Sequence, residues 1–187
     1  MEVVSLTVTV VLALTGYLIT YLYSLQLSKR KEQLELIDKR IKDFYGPLYI
    51  SIHVSRIAYE TLLGKMGRKV IRDQDNPLTE KELAEWRVWS KSIFRPLNES
   101  LEKLILGNAY LIREEEMPEC LLKFVTHVSA YKANLAKWDM GDFSEHFTAL
   151  DFPVEIDAYA TKAYRELKAE QLRLIGKLRP RIKSRNC

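Results

Sequence analysis

The uncharged stretch Val3–Leu25, VVSLTVTVVLALTGYLITYLYSL, decides the architecture of this chain. No residue from Val3 to Ser28 is charged, and Glu2 is the only charge before it. A helix rises about 1.5 Å per residue, so roughly 20 such residues cross the ~30 Å hydrocarbon layer. A buried core helix rarely runs that far without a charge, and a signal peptide would have a basic start and small residues at its end. The sequence therefore predicts a transmembrane helix.

The residues at the end of this span predict its orientation. Lys29, Arg30 and Lys31 follow it directly, and basic residues collect on the cytoplasmic side of membrane helices. The N-terminus is therefore expected outside and the rest of the chain in the cytoplasm. Tyr21 and Tyr23 lie near the same end, where phenol rings anchor a helix at the membrane interface.

Small residues recur every fourth position along one side of the predicted span. Such spacing lets the backbones of two membrane helices approach closely, which predicts a helix–helix face formed by Ser5, Thr9, Ala13, Gly16 and Thr20. Small residues are common in membrane helices anyway, so the pattern is also compatible with an unpaired span.

Beyond the span, the helical pattern continues without a flexible linker. Leu34, Ile37, Ile41 and Phe44 recur at helical spacing, so the helix is expected to continue to about Tyr45 and to hold the next domain rigidly. The dipeptide Gly46-Pro47 follows. Because proline disfavours helix at the residue before it and lacks a backbone donor, a turn or sharp kink is predicted there.

The remaining chain predicts helices and no strands. Leu48–Met66 reads as a helix with a broad apolar face that includes Ile50, Val54 and Ile57, and Thr79 with Glu82 forms a capping box before the next helix. No segment alternates with period 2. The expected fold is all-α: residues 1–28 carry the transmembrane segment, spanning about 3–25, and residues 29–187 form a cytoplasmic helical bundle with a basic C-terminal tail.

The composition excludes several other classes of protein. Hydrophobic residues make up 47% of the chain, with only 7 Gly, 6 Pro and 2 Cys, which argues against disorder and against a disulfide scaffold. Cys120 is expected to be a small core residue. The glycine, cysteine and histidine patterns that bind phosphates, dinucleotides or zinc are missing from the sequence, so no cofactor and no enzymatic activity is predicted.

Two polar groups remain as weak site candidates. Asp142, Glu145 and His146 could ligate a divalent ion, but their spacing matches no known cage and carboxylates in a loop more often cap a helix. His127 lies one turn before Tyr131. The pair could serve a reaction through His127 as a general base, yet no partner nucleophile is evident, and a hydrogen-bonded histidine at the edge of the core is favoured.

Basic residues predict contact with a polyanion at both ends of the soluble region. They comprise Lys29, Arg30 and Lys31 beside the span and Arg173, Lys177, Arg179, Arg181, Lys183 and Arg185 in the tail. Anionic lipid headgroups attract such residues, and nucleic acid would also bind them. The membrane surface is favoured because the anchor already holds the domain there, although a solvated tail without a partner remains open.

Four short motifs carry a resemblance to known proteins. They are Tyr45-Gly46-Pro47-Leu48, Phe94-Arg95-Pro96-Leu97-Asn98, His127-Val128-Ser129-Ala130-Tyr131 and Trp138-Asp139-Met140-Gly141-Asp142. In them the chain resembles uncharacterised bacterial single-pass membrane-anchored helical proteins. The resemblance implies a bacterial inner-membrane protein and supplies no activity and no catalytic residue.

Two functions follow as expectations. The first is a membrane-anchored interaction or scaffold module that binds a protein partner at the cytoplasmic face and forms a homo-oligomer. The alternative is a ligand-gated membrane effector of a bacterial defence system that senses a nucleotide. An enzyme acting through His127 or the Asp142–His146 loop is a third, less favoured interpretation.

Overall fold

A computed structural model describes the backbone of residues 2–178 and the side chains of residues 7–176. Helices account for all regular structure in this range, as the sequence predicts, and no strand occurs in it. The α-helices are α1 (Glu2–Arg40), α2 (Gly46–Met66), α3 (Glu80–Trp89), α4 (Arg95–Gly107), α5 (Glu119–Asp139) and α6 (Glu155–Leu178). A short 3₁₀ helix, Ala109–Leu111, follows α4.

The predicted interruption at Gly46-Pro47 is a π-helical turn, not a break. Helical backbone continues from α1 through the turn Ile41–Tyr45 into α2. The Gly46 N–H donates to the Ile41 carbonyl, five residues back. Pro47 has no N–H, and its ring would clash with the carbonyl four residues earlier, so the wider π-turn accommodates it without ending the helix.

Glycine is required at position 46 because of this turn. A Cβ atom built there would lie 2.5 Å from the Ile41 carbonyl oxygen, far inside van der Waals contact. The neighbouring Phe44 and Tyr45 are completely buried. The turn therefore packs two aromatic side chains tightly, and only a residue without a side chain fits beside them.

A second π-turn, Ser90–Phe94, joins α3 to α4 in the same manner. Arg95 donates its N–H to the Ser90 carbonyl, and Pro96 occupies the first turn of α4. One extra residue in a helix rotates everything beyond it by about 100° relative to the preceding turns. The π-turn thus sets which side chains of α4 face the core.

The connection between α2 and α3 is fixed by defined caps. Gly67 ends α2 in the left-handed conformation, at φ 67°, and its N–H bonds back to the helix. The capping box at Thr79 and Glu82 is present as predicted. Glu82 also accepts from Arg68 Nη2 at 3.0 Å, and Arg68 donates to the Pro77 carbonyl at 3.0 Å. The loop from 67 to 79 is therefore held against the start of α3.

Some side chains predicted to be buried are not. Ile50, Val54 and Ile57 on α2 are exposed by 60%, 46% and 56%, because α2 is covered on one side only, where Leu48, Ile52 and Leu62 lie. Cys120 is half-buried and not part of the core, and burial raises the pKa of its thiol.

Compact packing divides the chain into two units. Among the described residues, one contains the chain up to Asp38 together with Leu167–Leu178, and the other is Lys39–Glu166. In the first unit Ile37, Leu167 and Leu174 are buried, and Gln171 donates to Asp38 at 2.6 Å. The second unit holds α2 to α5 and the start of α6, with the sites discussed below.

One helical stretch in the described residues is long and apolar enough to cross a membrane. It lies within Thr7–Met66, near the N-terminus, with a mean hydropathy of 1.7 in its most apolar window. None of that window is buried, whereas the core helix of a soluble protein is covered by its neighbours.

The π-turn at Gly46 yields a prediction about stability. Gly46→Ala should lower the free energy of unfolding by about 1–3 kcal/mol, because its methyl group collides with the rigid Ile41 carbonyl. Gly64→Ala is the matched control in the same helix, since a Cβ there meets no atom within 4 Å; it should stabilise by about 0.5–1 kcal/mol. Denaturation of the full chain in detergent, followed by circular dichroism, measures both. Equal effects of the two substitutions would contradict the steric account.

Candidate functional site

A cavity of about 460 Å³ lies in the second unit, between α2, α3, α4, α5 and the loop after α5. Its volume falls in the range of small-molecule binding sites. The walls are mainly apolar and aromatic, formed among others by Ile52, Tyr59, Ile71, Trp86, Phe94, Phe147, Leu150 and Phe152. This cavity is the strongest candidate site in the described part of the chain.

Three aromatic rings form one wall of the cavity. Trp86 lies with its ring centroid 5.8 Å from Phe94 and 5.6 Å from Phe147. The indole N–H of Trp86 donates to the His146 carbonyl at 3.1 Å. This hydrogen bond fixes the orientation of the ring, which forms part of the cavity wall. The loop after α5 is thereby attached to α3, and its aromatic residues close the cavity.

Asn98 is a buried polar residue in the same wall. It is 5% exposed, and its Oδ1 is buried without a hydrogen-bond partner. On α4 it belongs to the buried stripe Phe94, Asn98, Leu101 and Ile105, which the second π-turn directs to the core. A buried amide oxygen left unpaired costs about 1–3 kcal/mol, so Asn98 destabilises the fold unless something binds it.

His127 and Tyr131, the polar pair identified in the sequence, both line the cavity. Their rings are parallel within 13° with centroids 6.0 Å apart. Burial raises the pKa of Tyr131 to about 12, although the nearby Ser90 hydroxyl opposes the shift. Neither hydroxyl has a hydrogen bond of good geometry. The tyrosine is therefore a neutral phenol at any physiological pH.

His127 is a neutral imidazole whose protonation site is defined by its partner. Its Nδ1 lies 2.8 Å from the Leu150 carbonyl oxygen, which can only accept, so Nδ1 carries the proton. Burial lowers the pKa of this imidazole below its ordinary value. The histidine thus ties α5 to the loop, as the sequence interpretation favoured, and no nucleophile in the described residues accompanies it in the arrangement of a catalytic pair.

Two ion pairs lie at the cavity. Arg56 Nε lies 3.2 Å from Asp157 Oδ2, and Arg72 Nη1 lies 2.5 Å from Asp151 Oδ1. Arg72 also donates to the Thr148 carbonyl and lies 4.9 Å from the centre of the Phe147 ring. Each arginine is matched by a carboxylate, so the cavity has no surplus positive charge.

Two of the three loop residues proposed as metal ligands, Asp142 and Glu145, have partners of their own. Asp142 accepts the Ser144 N–H at 2.9 Å, which lowers the pKa of its carboxyl group. Glu145 pairs with Lys137 at 3.0 Å. His146 Nδ1 is buried without a partner. Among the residues with described side chains, no group of three or more histidine, cysteine or acidic residues is arranged to hold a metal ion.

A polar cluster around Tyr45 is fully partnered. Its hydroxyl accepts the Arg113 N–H at 3.1 Å and lies 3.3 Å from the Tyr159 hydroxyl. Tyr159 in turn donates to Glu114 at 3.2 Å. Burial raises the pKa of both phenols. With every group paired, this cluster joins the segment after α4 to α6 and is structural.

The predicted membrane residues lie on α1. Tyr21 and Tyr23 are exposed by 49% and 66%, and Lys29 and Lys31 are exposed while Arg30 is half-buried. Of the small-residue face, the exposed positions Thr9, Ala13, Gly16 and Thr20 are described, and Thr20 donates to the Gly16 carbonyl at 2.9 Å.

Part of the predicted polyanion-binding set cannot be located in the fold. The side chain of Lys177 and the residues Arg179, Arg181, Lys183 and Arg185 lie outside the described ranges. The side chain of Ser5, from the predicted helix–helix face, lies outside them as well. Arg173 is exposed and lies 3.9 Å from Glu170.

Comparison with protein-family models, with curated proteins and with solved structures finds no match for this chain. The interpretation of the cavity therefore depends on its own geometry.

Sequence reasoning missed two residues of the cavity, Asn98 and Ser55. Both carried a signal: Asn98 lies four residues after Phe94 and three before Leu101, and Ser55 lies three after Ile52. A polar residue at helical spacing among apolar ones is placed in the core. The pattern was not recognised because each π-turn changes which face of the following helix points inward.

Proposed function

We propose that this protein is a single-pass membrane protein whose helical domain binds a small molecule on the cytoplasmic side. The observation that carries the proposal is the aromatic cavity of about 460 Å³. Natural cores are packed nearly without voids. A domain that keeps an open cavity of this size is best explained by a ligand that fills it.

The membrane part of the proposal rests on α1. Its apolar stretch is exposed throughout, and Lys29, Arg30 and Lys31 follow it. These basic residues favour a cytoplasmic domain and an N-terminus outside. A bacterial inner membrane, which the resemblance of the four motifs implies, is the location we propose. Lys29 and Lys31, which directly follow the span, are then near enough to anionic headgroups to add attraction of about 1 kcal/mol each.

A ligand-gated effector is compatible with this proposal, but a nucleotide is not the ligand we favour. A phosphate needs cationic donors, and both arginines of the cavity are already paired with carboxylates. We assign no reaction to the protein.

A second candidate function is self-association, and α2 is the observation that favours it. Ile50, Val54 and Ile57 form an exposed apolar stripe at helical spacing. The small residues of α1 also allow close approach of a second helix. Symmetric dimers pair identical surfaces, so a second copy of the chain is the partner that matches both features.

The membrane topology gives the first prediction of this section. The full chain should resist alkaline extraction from bacterial membranes, retain its N-terminus, and give a fluorescent C-terminal green fluorescent protein fusion. A C-terminal alkaline phosphatase fusion should be inactive, because that enzyme needs the outer side of the membrane. A clipped N-terminus, or an active phosphatase, would overturn the assignment.

Ligand binding is tested by filling the cavity. Ser55 is a 7% exposed residue of the cavity wall, so Ser55→Phe should occupy the space and reduce binding of small aromatic fragments at least tenfold. Thr61→Phe adds the same ring to an exposed position of α2 and is the matched control. A fragment library is screened by ligand-observed nuclear magnetic resonance against the full chain in nanodiscs.

We expect fragments that bind the wild type and Thr61→Phe and lose binding to Ser55→Phe. If the screen returns no fragment whose binding depends on position 55, the cavity is not a binding site and the proposal fails. Thermal melting of each variant verifies that both remain folded.

Self-association is tested at Ile57. Ile57→Glu should convert the wild-type oligomer to a monomer, because a carboxylate cannot be buried in an apolar interface without a partner. Glu60→Gln, at an exposed position of the same helix, should leave the oligomer intact. Light scattering coupled to size exclusion in detergent measures the mass. A wild-type monomer would rule out this second function.

A further inference from the structure

The inner wall of the cavity presents mainly apolar surface to a ligand. The Asn98 Oδ1 and the Tyr131 hydroxyl have almost no accessible surface, so a ligand cannot reach them. Trp86 Nε1 and His127 Nδ1 are already bound to backbone carbonyls of the loop after α5. What remains accessible comes mostly from rings and aliphatic side chains. A ligand is therefore held inside by the burial of its own apolar surface.

Accessible charged groups lie at the opening of the cavity. Arg56 and Arg72 belong to its lining, and their side chains are 46% and 43% exposed. Asp151, also in the lining, is 82% exposed. Arg56 pairs with Asp157 and Arg72 with Asp151. The opening thus presents positive and negative groups in equal number, and a ligand that fits it has a polar end without net charge.

The size of the cavity corresponds to a long hydrocarbon chain. An apolar cavity of about 150 Å³ holds one benzene molecule. This cavity, at about 460 Å³, is roughly three times as large. By that measure it has room for about 18 carbon atoms.

The shape of the aromatic wall favours a flexible chain over a flat ring system. The Trp86 ring is tilted by 38° from Phe94 and by 44° from Phe147, so the three rings form a faceted surface. Dispersion attraction requires close contact between atoms. A flat molecule stacked on one ring would stand away from the others, whereas a chain with rotatable bonds can follow all three.

We infer that the cavity binds a single-chain amphiphile whose hydrocarbon chain fills the interior and whose head group, without net charge, lies at the opening. The inference rests on the proposed function and specifies the chemistry of its ligand. A zwitterionic head places its cation near the aspartates and its anion near the arginines. A head of one sign lacks a free counter-charge there, because each arginine is already paired. The membrane that anchors α1 is the source of such molecules.

The test uses palmitoyl lysophosphatidylcholine with a photoreactive diazirine in its chain. This probe is added to the full chain in phosphatidylcholine nanodiscs, illuminated, and the labelled peptides are mapped by mass spectrometry. Saturable labelling should appear on the peptides that contain Trp86–Phe94 and Phe147–Phe152. Labelling confined to α1, or cavity labelling that does not saturate, would overturn the inference.

Competition on the wild type identifies which part of the probe is recognised. Excess unlabelled palmitoyl lysophosphatidylcholine should suppress the cavity labelling. Palmitate, which has the same chain and an anionic head, should compete several times more weakly, and glycerophosphocholine, which has the head alone, should not compete. Equal or stronger competition by palmitate overturns the inference about the head group, and stronger competition by pyrene, a flat aromatic, overturns the choice of a chain.

Variants of the interior and of the opening separate the two contributions. Ser55→Phe should remove the cavity labelling, whereas Thr61→Phe should retain it. Asp151→Lys gives the opening a net positive charge and should make palmitate the stronger competitor; because Asp151 is 82% exposed, the substitution leaves the fold intact. Glu119→Lys makes the same change of charge at an exposed residue outside the lining and should leave the order of competitors unchanged.

Failure of this inference is distinguishable from failure of the proposed function. If cavity labelling is absent while the fragment screen finds fragments that depend on position 55, the cavity binds a different class of ligand and only the inference falls. If neither is found, both fall. The labelling and the competition on the wild type need no variant, so they decide the inference even if Ser55→Phe does not fold.

Discussion

Proline inside a continuing helix is the constraint on which the rest of this structure depends. Pro47 and Pro96 each follow a π-turn, in which an N–H bonds five residues back. Each turn keeps the backbone hydrogen-bonded where an α-helix would have to break. The extra residue rotates the next helix about its axis. Phe44 and Tyr45 lie in the core within the first turn, Phe94 lines the cavity at the end of the second, and the rotation after the second turn places Asn98 in the cavity wall.

The cavity combines an apolar interior with a few polar groups. Four helices contribute polar residues to it: Ser55 and Arg56 from α2, Asn98 from α4, His127 and Tyr131 from α5, and Asp157 from α6. The loop after α5 closes it through the Trp86 and His127 hydrogen bonds to backbone carbonyls. A ligand of the proposed kind, binding only the folded state, would stabilise the domain by mass action.

Much of the fold could be predicted from the sequence, but the faces of the helices could not. The capping box of Thr79 and Glu82 predicted the start of α3, and Gly67 is the C-cap that ends α2. Such ends can be predicted because a cap depends on residues that are close in the chain. The apolar face of α2 was predicted too broad: Ile50, Val54 and Ile57 are exposed. Which apolar residues are covered depends on where the other helices pack, and the spacing of apolar residues within one helix does not determine that.

The sequence by itself determined the apolar, uncharged N-terminal helix, the basic residues after it, and the all-helical character of the chain. These follow from hydropathy and from hydrogen bonds between residues a few positions apart. Only the tertiary structure decided that Asn98, His127 and Tyr131 share one cavity, that the arginines beside it are paired with carboxylates, and that Asp142 and Glu145 have different partners. The physical reason is that unpaired atoms and empty space arise from the meeting of distant segments, after the π-turns have set the faces that meet.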